Sequence, residues 1–468
     1  MSSYINKKLN EFETYIKGKK VAVIGLGVSN IPLIDYFYNL GANASFFDKR
    51  SIEKLDTDAV NKIKQYDFDL FLGEDNLKNL QGFSVIFRSP SCRPDTPEIV
   101  DEVNKGAILT SEIEMLMNTC PGTIIGITGS DGKTTTTSLI YNIVKESGRN
   151  CYLGGNIGYP LFTKVGQMTP EDIVVLELSS FQLMDMQVSP HIAVITNISP
   201  NHLDIHKSYE EYIDSKKNIF KSQNENDILV LNFDNNITRE IKNEAKGKVI
   251  YFSRKEKLDN GIIYDCEKIK ECKDNVRRHI LNVKDIHLRG KHNYENICAA
   301  IAATIDLIEP EIQVNAIKDF KGVEHRLEFI REINGTKWYN DSIGTSPTRT
   351  IAGLNSFDEK IVLIAGGYDK HLDYTPIAKP IVENVSKLIL MGATANKIED
   401  VVKEELERQG KSMPIYNCKS LKDTVDKAYE VSNNKEVVLF SPASASFDLF
   451  KNFEDRGNQF KDIVNSIK

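Results

Sequence analysis

Three successive α/β segments, each built on a largely parallel sheet, are what this sequence predicts, and three observations predict them. Short apolar runs with the length and β-branched content of buried strands recur along the whole chain, separated by helix-length stretches. Two of these runs break into glycine-containing loops that lead straight into a helix. One is Gly25-Leu26-Gly27-Val28-Ser29; the other is Gly129-Ser130-Asp131-Gly132-Lys133-Thr134-Thr135. The length, 468 residues, corresponds to about three domains at roughly 150 residues each. We place them at 1–113, 114–322 and 323–468: a Rossmann-like N-terminal domain, a central P-loop-type α/β domain and a C-terminal Rossmann-like doubly wound domain.

In the first segment the run 21–24, the Gly25-x-Gly27 loop, an amphipathic stretch to Leu40 and a second run 44–47 ending at Asp48 form a βαβ pattern. A helix start behind such a loop collects anions. The dinucleotide fingerprint wants a third glycine where Asn30 stands, which disfavours a nicotinamide cofactor. A nucleotide or sugar-nucleotide anion, or a purely structural turn, remain as readings of this loop. Asp48 and Arg50, at the second strand's end, are placed to hold a ribose or base edge.

The second segment carries the strongest chemistry. Gly129 and Gly132 let backbone N–H groups turn toward an anion, Lys133 supplies a point charge for terminal phosphates, and the Thr134 hydroxyl suits Mg²⁺. This pattern predicts use of a nucleoside triphosphate, although Ile127 stands where the strict loop has its first glycine. The buried runs 173–176 and 192–195 deliver Glu177 and, beyond Asn197, the loop Asn201-His202-Leu203-Asp204 to their C-terminal ends. Strand ends of a parallel sheet gather on one edge, so Glu177 and His202 are expected to converge with Lys133 on a metal and phosphate site. Lys216, on a helix after the histidine loop, reads by spacing alone as an ordinary solvated lysine.

The third segment opens with a hairpin, 327–332 and 337–339, turned at Asn334-Gly335. Strands follow at 361–365, 388–391, 414–416 and 437–440, with helical stretches between them. Their ends carry Gly366-Gly367-Tyr368-Asp369-Lys370 and Ser441-Pro442-Ala443-Ser444-Ala445-Ser446-Phe447. The lysine and hydroxyls there suit a small carboxylate substrate.

Composition narrows the partners. A hydrophobic fraction of 41% and a charged fraction of 27% describe a globular protein. No apolar run approaches the ~18 residues of a membrane span, and no signal-like start is seen. We expect a cytoplasmic monomer without membrane insertion. A net charge of −7 argues against a nucleic-acid partner, so an anionic ligand must be held by local cations and helix starts. Seven scattered cysteines without C-x-x-C spacing read as reduced thiols. The Asn/Lys/Glu-rich stretch 254–277 reads as the most loop-like region, and the segment boundaries near 113 and 323 read as hinges.

On these residues the chain resembles the Mur ligases, ATP-dependent amide-forming enzymes of peptidoglycan synthesis. The likeness spans all three segments. It is carried further by Gly154-Gly155-Asn156-Ile157-Gly158, by Leu176-Glu177-Leu178-Ser179-Ser180-Phe181-Gln182-Leu183, and by Ser446-Phe447-Asp448-x-Phe450-Lys451-Asn452-Phe453-Glu454-x-Arg456-Gly457. The Asp-Asn-Pro-Arg motif of the diamino-acid-adding members is absent. The resemblance implies ATP, UDP-N-acetylmuramoyl-L-alanine and D-glutamate as substrates, and a pair of Mg²⁺ ions.

Residue by residue, the resemblance gives Gly129, Ser130, Asp131, Gly132, Lys133, Thr134 and Thr135 to the ATP phosphates and Mg²⁺. It gives Glu177 and His202 to the metals and the acyl substrate. Asn293, Asn296, Arg326 and Asp341 would contact the nucleoside or phosphates of ATP. Val28, Ser29, Asp48, Arg50 and Ser89 would line the uridine diphosphate site, and Asn156 would hold the muramoyl-alanine end. Thr345, Lys370, Ser446, Phe447 and Phe453 would hold D-glutamate. Tyr212-x-x-x-Lys216-x-x-Ile219 resembles the helix on which these ligases carry a carbamylated lysine, a CO₂-derived metal ligand.

The chain departs from the family pattern at three places. Ile343 stands where a lysine is usual, that role being passed to Arg349 or dispensable; Ser91 replaces a glycine after Ser89-Pro90; Tyr368 replaces an aspartate. A sibling ligase with another amino-acid substrate shares the phosphate loop, Glu177, His202 and Lys216. A binding protein switched by ATP is the reading from a different class, and a nicotinamide oxidoreductase rests on Gly25-x-Gly27 alone.

Overall fold

The computed structural model describes residues 4–200, 205–288, 290–370 and 372–467. The chain divides into two compact units. The first comprises Met1–Val283 with Tyr294–Ile317, the second Lys284–Asn293 with Lys318–Lys468.

The first unit contains two sheets. The N-terminal one has five parallel strands in the order Asp69–Leu72, Asn43–Asp48, Lys20–Ile24, Val85–Arg88, Ile108–Thr110. The order reverses direction around Lys20–Ile24, so the Gly25 loop stands at the sheet's switch point, where ligands of such sheets bind. Gly25 has φ +86°, and a Cβ there would lie 2.3 Å from Ser89 Oγ, so only glycine fits. Asn30 does not widen the loop. It is buried, and its side-chain amide donates to the carbonyls of Ile24 and Gly25 at 3.1 and 2.9 Å, locking the turn from behind before the helix Pro32–Leu40.

The second sheet runs Val276–Asn282, Lys268–Lys273, Gly261–Asp265, Lys248–Ser253, Ile228–Asn232, Ile192–Ile195, Thr123–Thr128, Ile173–Glu177, Cys151–Gly155. The six strands from Lys248–Ser253 onward are mutually parallel, and the four innermost runs are apolar and buried, as a sheet covered on both faces requires. The expected loop at 254–277 is instead largely an antiparallel extension. Its charged positions hid a sparse buried set, Ile262, Ile263, Ile269, Cys272 and Leu281. Its turns are tight pairs in the left-handed region, Cys266-Glu267 and Asp274-Asn275. Such turns join antiparallel strands, but Cys-Glu is not among their usual residues.

No swinging joint is evident at residue 113. Phe162, from the central sheet's connections, packs edge-on against Phe12 at 5.7 Å and Tyr36 at 5.0 Å, and lies 6.2 Å from Phe87 of the N-terminal sheet. Ile113 and Leu116 join the same buried cluster. Fully burying one such aromatic contributes roughly 1.5–3 kcal/mol, so the shared core ties the two sheets into one body.

The second unit is a six-stranded sheet in the order Glu328–Ile333, Thr336–Asn340, Val437–Phe440, Ile361–Ala365, Val385–Leu390, Ile415–Asn417. The first pair is the expected hairpin, with Asn334 and Gly335 both at positive φ as its two-residue turn requires. The remaining strands are parallel. The chain's single tryptophan, Trp338, is fully buried in this unit, 6.4 Å from Phe460. No helix among the described residues is long and apolar enough to cross a membrane.

Candidate active site

The site of the first unit grows from the C-terminal ends of neighbouring strands. Thr123–Thr128 passes through Gly129-Ser130-Asp131-Gly132 into the helix Lys133–Glu146. Gly132 caps that helix at φ +81°, and a Cβ there would lie 2.4 Å from Asn296 Oδ1. The loop is stapled to the next strand end. Ser130 and Asp131 donate their backbone N–H groups to Asn197, and Thr196 Oγ1 and Asn197 Nδ2 donate to the Asp131 carbonyl. Ser130 Oγ bonds Ser199 and lies 2.9 Å from the Tyr212 hydroxyl. Lys133 folds back over the loop, donating to the carbonyls of Gly129 and Ser130 at 2.9 and 3.0 Å. Thr134 is half-buried and Thr135 buried in the helix's first turn.

Glu177 ends the strand Ile173–Glu177 and is 1% exposed. Its register partners are Ile127, two residues before the phosphate loop, and Gly155, one residue before Asn156. Asn156 Nδ2 donates to Glu177 Oε1 at 2.9 Å, while Oε2 is buried without a hydrogen-bond partner. A bare carboxylate oxygen in the interior is costly. It is the donor a hard divalent cation would take, so Glu177 fits Mg²⁺ and Asn156 orients it. Among the described residues no three His, Cys, Asp or Glu side chains cluster as a metal cage.

Lys216 is not the solvated lysine its spacing suggests. It is 1% exposed on the helix Tyr209–Lys221, donates to the Gly129 carbonyl at 2.8 Å and lies 4.7 Å from the Tyr212 ring. Burial, and then the charge of Lys133, hold its amine well below the usual lysine range, against the opposing pull of Asp131 and Glu177.

His202 lies outside the described residues. The sequence pointed to no role for His206, which is buried three residues before the helix bearing Lys216. Its ring stacks on Phe181 at 5.2 Å, meets Tyr212 edge-on at 5.3 Å, and places Nε2 2.9 Å from Ser180 Oγ. Its burial among these partners is a tertiary property that a histidine's position in a sequence does not announce.

At the N-terminal sheet, Asp48 accepts the Leu26 N–H at 2.8 Å and is forked by Arg50, whose Nη2 also reaches the Leu26 carbonyl. Arg50 and these donors hold the Asp48 carboxyl below its usual range against the effect of burial. Val28 is 74% exposed on the same loop, Ser29 is half-buried beside it, and Ser89 hydrogen-bonds Ser91 at 2.9 Å. Asp48 and Arg50 thus form a bonded pair beside an exposed loop.

In the second unit Asp341 is buried at the end of Thr336–Asn340. It accepts from Ser441 Oγ at 2.6 Å and from the Leu327 N–H at 3.3 Å, and desolvation pushes its carboxyl up to about 6 although Arg326 and Arg349 oppose this. Arg349, the candidate substitute cation, donates to the Ile343 carbonyl at 3.2 Å. Lys370 is exposed, 5.8 Å from the Phe447 ring, and Tyr368 meets Phe447 edge-on. Arg456 had no role in the sequence reading beyond its motif. Fully buried, it donates to Ser342 Oγ and the carbonyls of Ser342, Ser444 and Ala445. It thereby ties the loop leading to Thr345 to the loop holding Ser446 and Phe447. Ser342 Oγ in turn donates to the carbonyl of Phe453, the first residue of the last helix. Asn293 and Asn296 share one face of Lys291–Thr304, three residues apart, and both are buried.

Known proteins match this arrangement. Residues 19–111 match the description Mur ligase MurD-like, N-terminal domain; 127–304, Mur ligase middle domain; and 325–444, Mur ligase, glutamate ligase domain. The chain is 53% identical over 466 residues to the UDP-N-acetylmuramoylalanine--D-glutamate ligase of Acetivibrio thermocellus, covering 99% of this chain and 100% of that protein. It is 50% identical, with the same coverage, to the enzyme of that name from Ruminiclostridium cellulolyticum. Among solved structures it resembles the UDP-N-acetylmuramate-alanine ligase MurC of Thermotoga maritima, with a TM-score of 0.58 at 18% identity over 96% of this chain and 100% of that one. It also resembles the MurF ligase of the same organism, solved in complex with ADP, with a TM-score of 0.53 at 20% identity over 97% and 96%. At those identities the structures attest the fold.

Proposed function

The chain belongs to the Mur ligase family and joins D-glutamate to UDP-N-acetylmuramoyl-L-alanine with consumption of ATP, and we propose how its own residues carry that reaction. The alanyl carboxylate attacks the γ-phosphorus of ATP, giving an acyl phosphate and ADP. The amine of D-glutamate then adds to the acyl carbon, and the tetrahedral intermediate collapses to the amide with release of phosphate. The observation that carries this reading is the buried, half-satisfied Glu177 carboxylate beside a glycine loop on which Lys133 and Lys216 converge.

Two anions must meet in the first step, so catalysis is mostly positioning and charge neutralisation. The backbone N–H groups of Gly129 to Gly132, with Lys133, Thr134 and Thr135, hold the phosphates; Asn293, Asn296, Arg326 and Asp341 hold the rest of ATP. Thr134, Glu177, His202 and a carbamylated Lys216 would hold Mg²⁺, which would neutralise phosphoryl oxygens. The depressed amine of Lys216 supports carbamylation, because only a neutral amine adds to CO₂. Val28, Ser29, Asp48, Arg50 and Ser89 bind the uridine diphosphate and Asn156 the muramoyl-alanine end. Thr345, Lys370, Ser446, Phe447 and Phe453 bind D-glutamate. The three segments 1–113, 114–322 and 323–468 thus each carry the larger part of one substrate's site, in a monomer working in the cytoplasm.

The test is phosphate release from ATP with Mg²⁺ and UDP-N-acetylmuramoyl-L-alanine, comparing D-glutamate with L-glutamate, L-alanine and no amino acid. Release only with D-glutamate, with the amide identified by mass, is the expected result. Release with another amino acid keeps the mechanism and moves the substrate; ATP binding without amide defeats it.

A further inference from the structure

We propose that Arg88 is a positioning residue for this reaction, fixing the loop assigned to the uridine diphosphate against the segment that carries Glu177. The proposal rests on the N-terminal site described under the proposed function. Arg88 ends the strand Val85–Arg88, directly before Ser89, and its side chain is 1% exposed. Its guanidinium faces two ways. Toward its own loop, Nη1 donates to the carbonyls of Ser89 and Cys92 at 3.3 and 3.1 Å. Toward the central sheet, Nε donates to Asp185 Oδ2 at 2.8 Å, while Nη2 donates to Asp185 Oδ1 and, at 3.1 Å, to the Phe181 carbonyl.

Phe181 and Asp185 belong to the short helix Ser180–Leu183 and its exit, which begins three residues after Glu177. There is little slack between them: Leu178 donates its N–H to Ile127, and Ser179 closes a capping box with Gln182. A second strut runs beside the first. Arg93 forks Glu211 at 2.6 and 3.2 Å and donates to the Ile205 carbonyl at 3.0 Å, and Glu211 lies on the helix that carries Lys216. One loop, 88–93, is therefore bound by two arginines to the helix that follows Glu177 and to the helix that carries Lys216, two of the proposed metal ligands.

A buried ion pair adds little net stability over a well-packed apolar pair, but a planar fork fixes direction at several acceptors simultaneously. That distinction gives the readout. Binding energy from the remote nucleotide raises turnover only if it is transmitted into alignment at the reacting carboxylate. The experiment compares kcat for UDP-N-acetylmuramoyl-L-alanine with kcat for the same substrate lacking uridine, in the native protein and in Arg88→Lys, which keeps the charge and loses the fork. The native ratio should exceed about ten, and Arg88→Lys should shrink it about tenfold toward one, within the range that small misplacements cost, with the KM for D-glutamate unchanged. A native ratio near one, or a ratio that Arg88→Lys leaves unchanged, overturns the proposal.

Asp185→Asn preserves shape and supplies the same comparison if Arg88→Lys does not accumulate. Arg50→Ala separates the two readings. A KM for the full substrate that Arg50→Ala leaves unchanged removes the N-terminal site and Arg88's role with it. A raised KM with an unaltered kcat ratio removes Arg88's role alone.

Discussion

The side-chain nitrogens of Lys133 and Lys216 converge on one acceptor, the carbonyl oxygen of Gly129, at 2.9 and 2.8 Å. Two ammonium groups cannot share so buried a place cheaply, and burial, with the charge of Lys133, holds the Lys216 amine well below the usual lysine range. In the proposed reaction Lys133 meets the phosphates and Lys216 carries the carbamate.

Protein prepared in CO₂-depleted buffer should therefore lose activity and regain it on adding bicarbonate. With ¹³C-bicarbonate a carbamate carbon signal should appear in the native protein and be missing from Lys216→Ala. Because only the neutral amine reacts, the signal should fade as pH is lowered through the depressed pKa. Full activity without CO₂ would show that Lys216 acts as a plain amine.

Lys133→Ala should lower kcat by 10²-fold or more in the phosphate-release assay, the scale for deleting a main electrostatic stabiliser. The side chain is half-buried on the loop surface, so the thermal midpoint should move little. A near-native rate would remove the phosphate role.

Glu177→Gln replaces the unpartnered Oε2 with a neutral amide. The Mg²⁺ concentration for half-maximal activity should rise at least tenfold, the lower end of what altering metal ligation costs. The increase in Tm that Mg²⁺ with ADP gives the native protein should shrink in the variant. An unchanged Mg²⁺ titration would place the ion elsewhere.

Glu112 accepts the N–H groups of Leu161 and Phe162, both at 2.8 Å, yet burial pushes its carboxyl up to about 7. A raised carboxyl favours the neutral form in the fold, so this contribution is complete below the unfolded pKa of 4.5 and is lost as pH rises through 7. Glu112→Gln cannot ionise. Denaturant titrations should show its stability relative to the native protein improving by about 3 kcal/mol between pH 4 and pH 8. A constant offset would refute the shift.

What could be read in advance follows the range of the forces involved. The phosphate loop, the strand that delivers Glu177 and the hairpin at Asn334-Gly335 are local patterns of apolar run and turn, and they stand where their spacing placed them. The extension over Gly261–Asn282 was hidden because half-exposed strands carry Lys and Arg, and its buried residues are too few to show alternation. The locking amide of Asn30, the clamp of Arg456 and the Arg88–Asp185 pair are contacts between residues far apart in the chain or folded back on it. No window of sequence contains Arg88 with Asp185 or Arg456 with Ser342. Lys216 is the sharpest case: its neighbours look solvated, and only the packing of its helix on the Gly129 loop removes the water.

Trp338 gives the molecule a built-in optical reporter of one half. Sole among the tryptophans and sealed in the second unit, it should emit like an indole in an apolar solvent. An emission shift during denaturation would register the loss of that unit alone, while circular dichroism would sum both. Any separation between the two curves would measure how far the halves unfold independently.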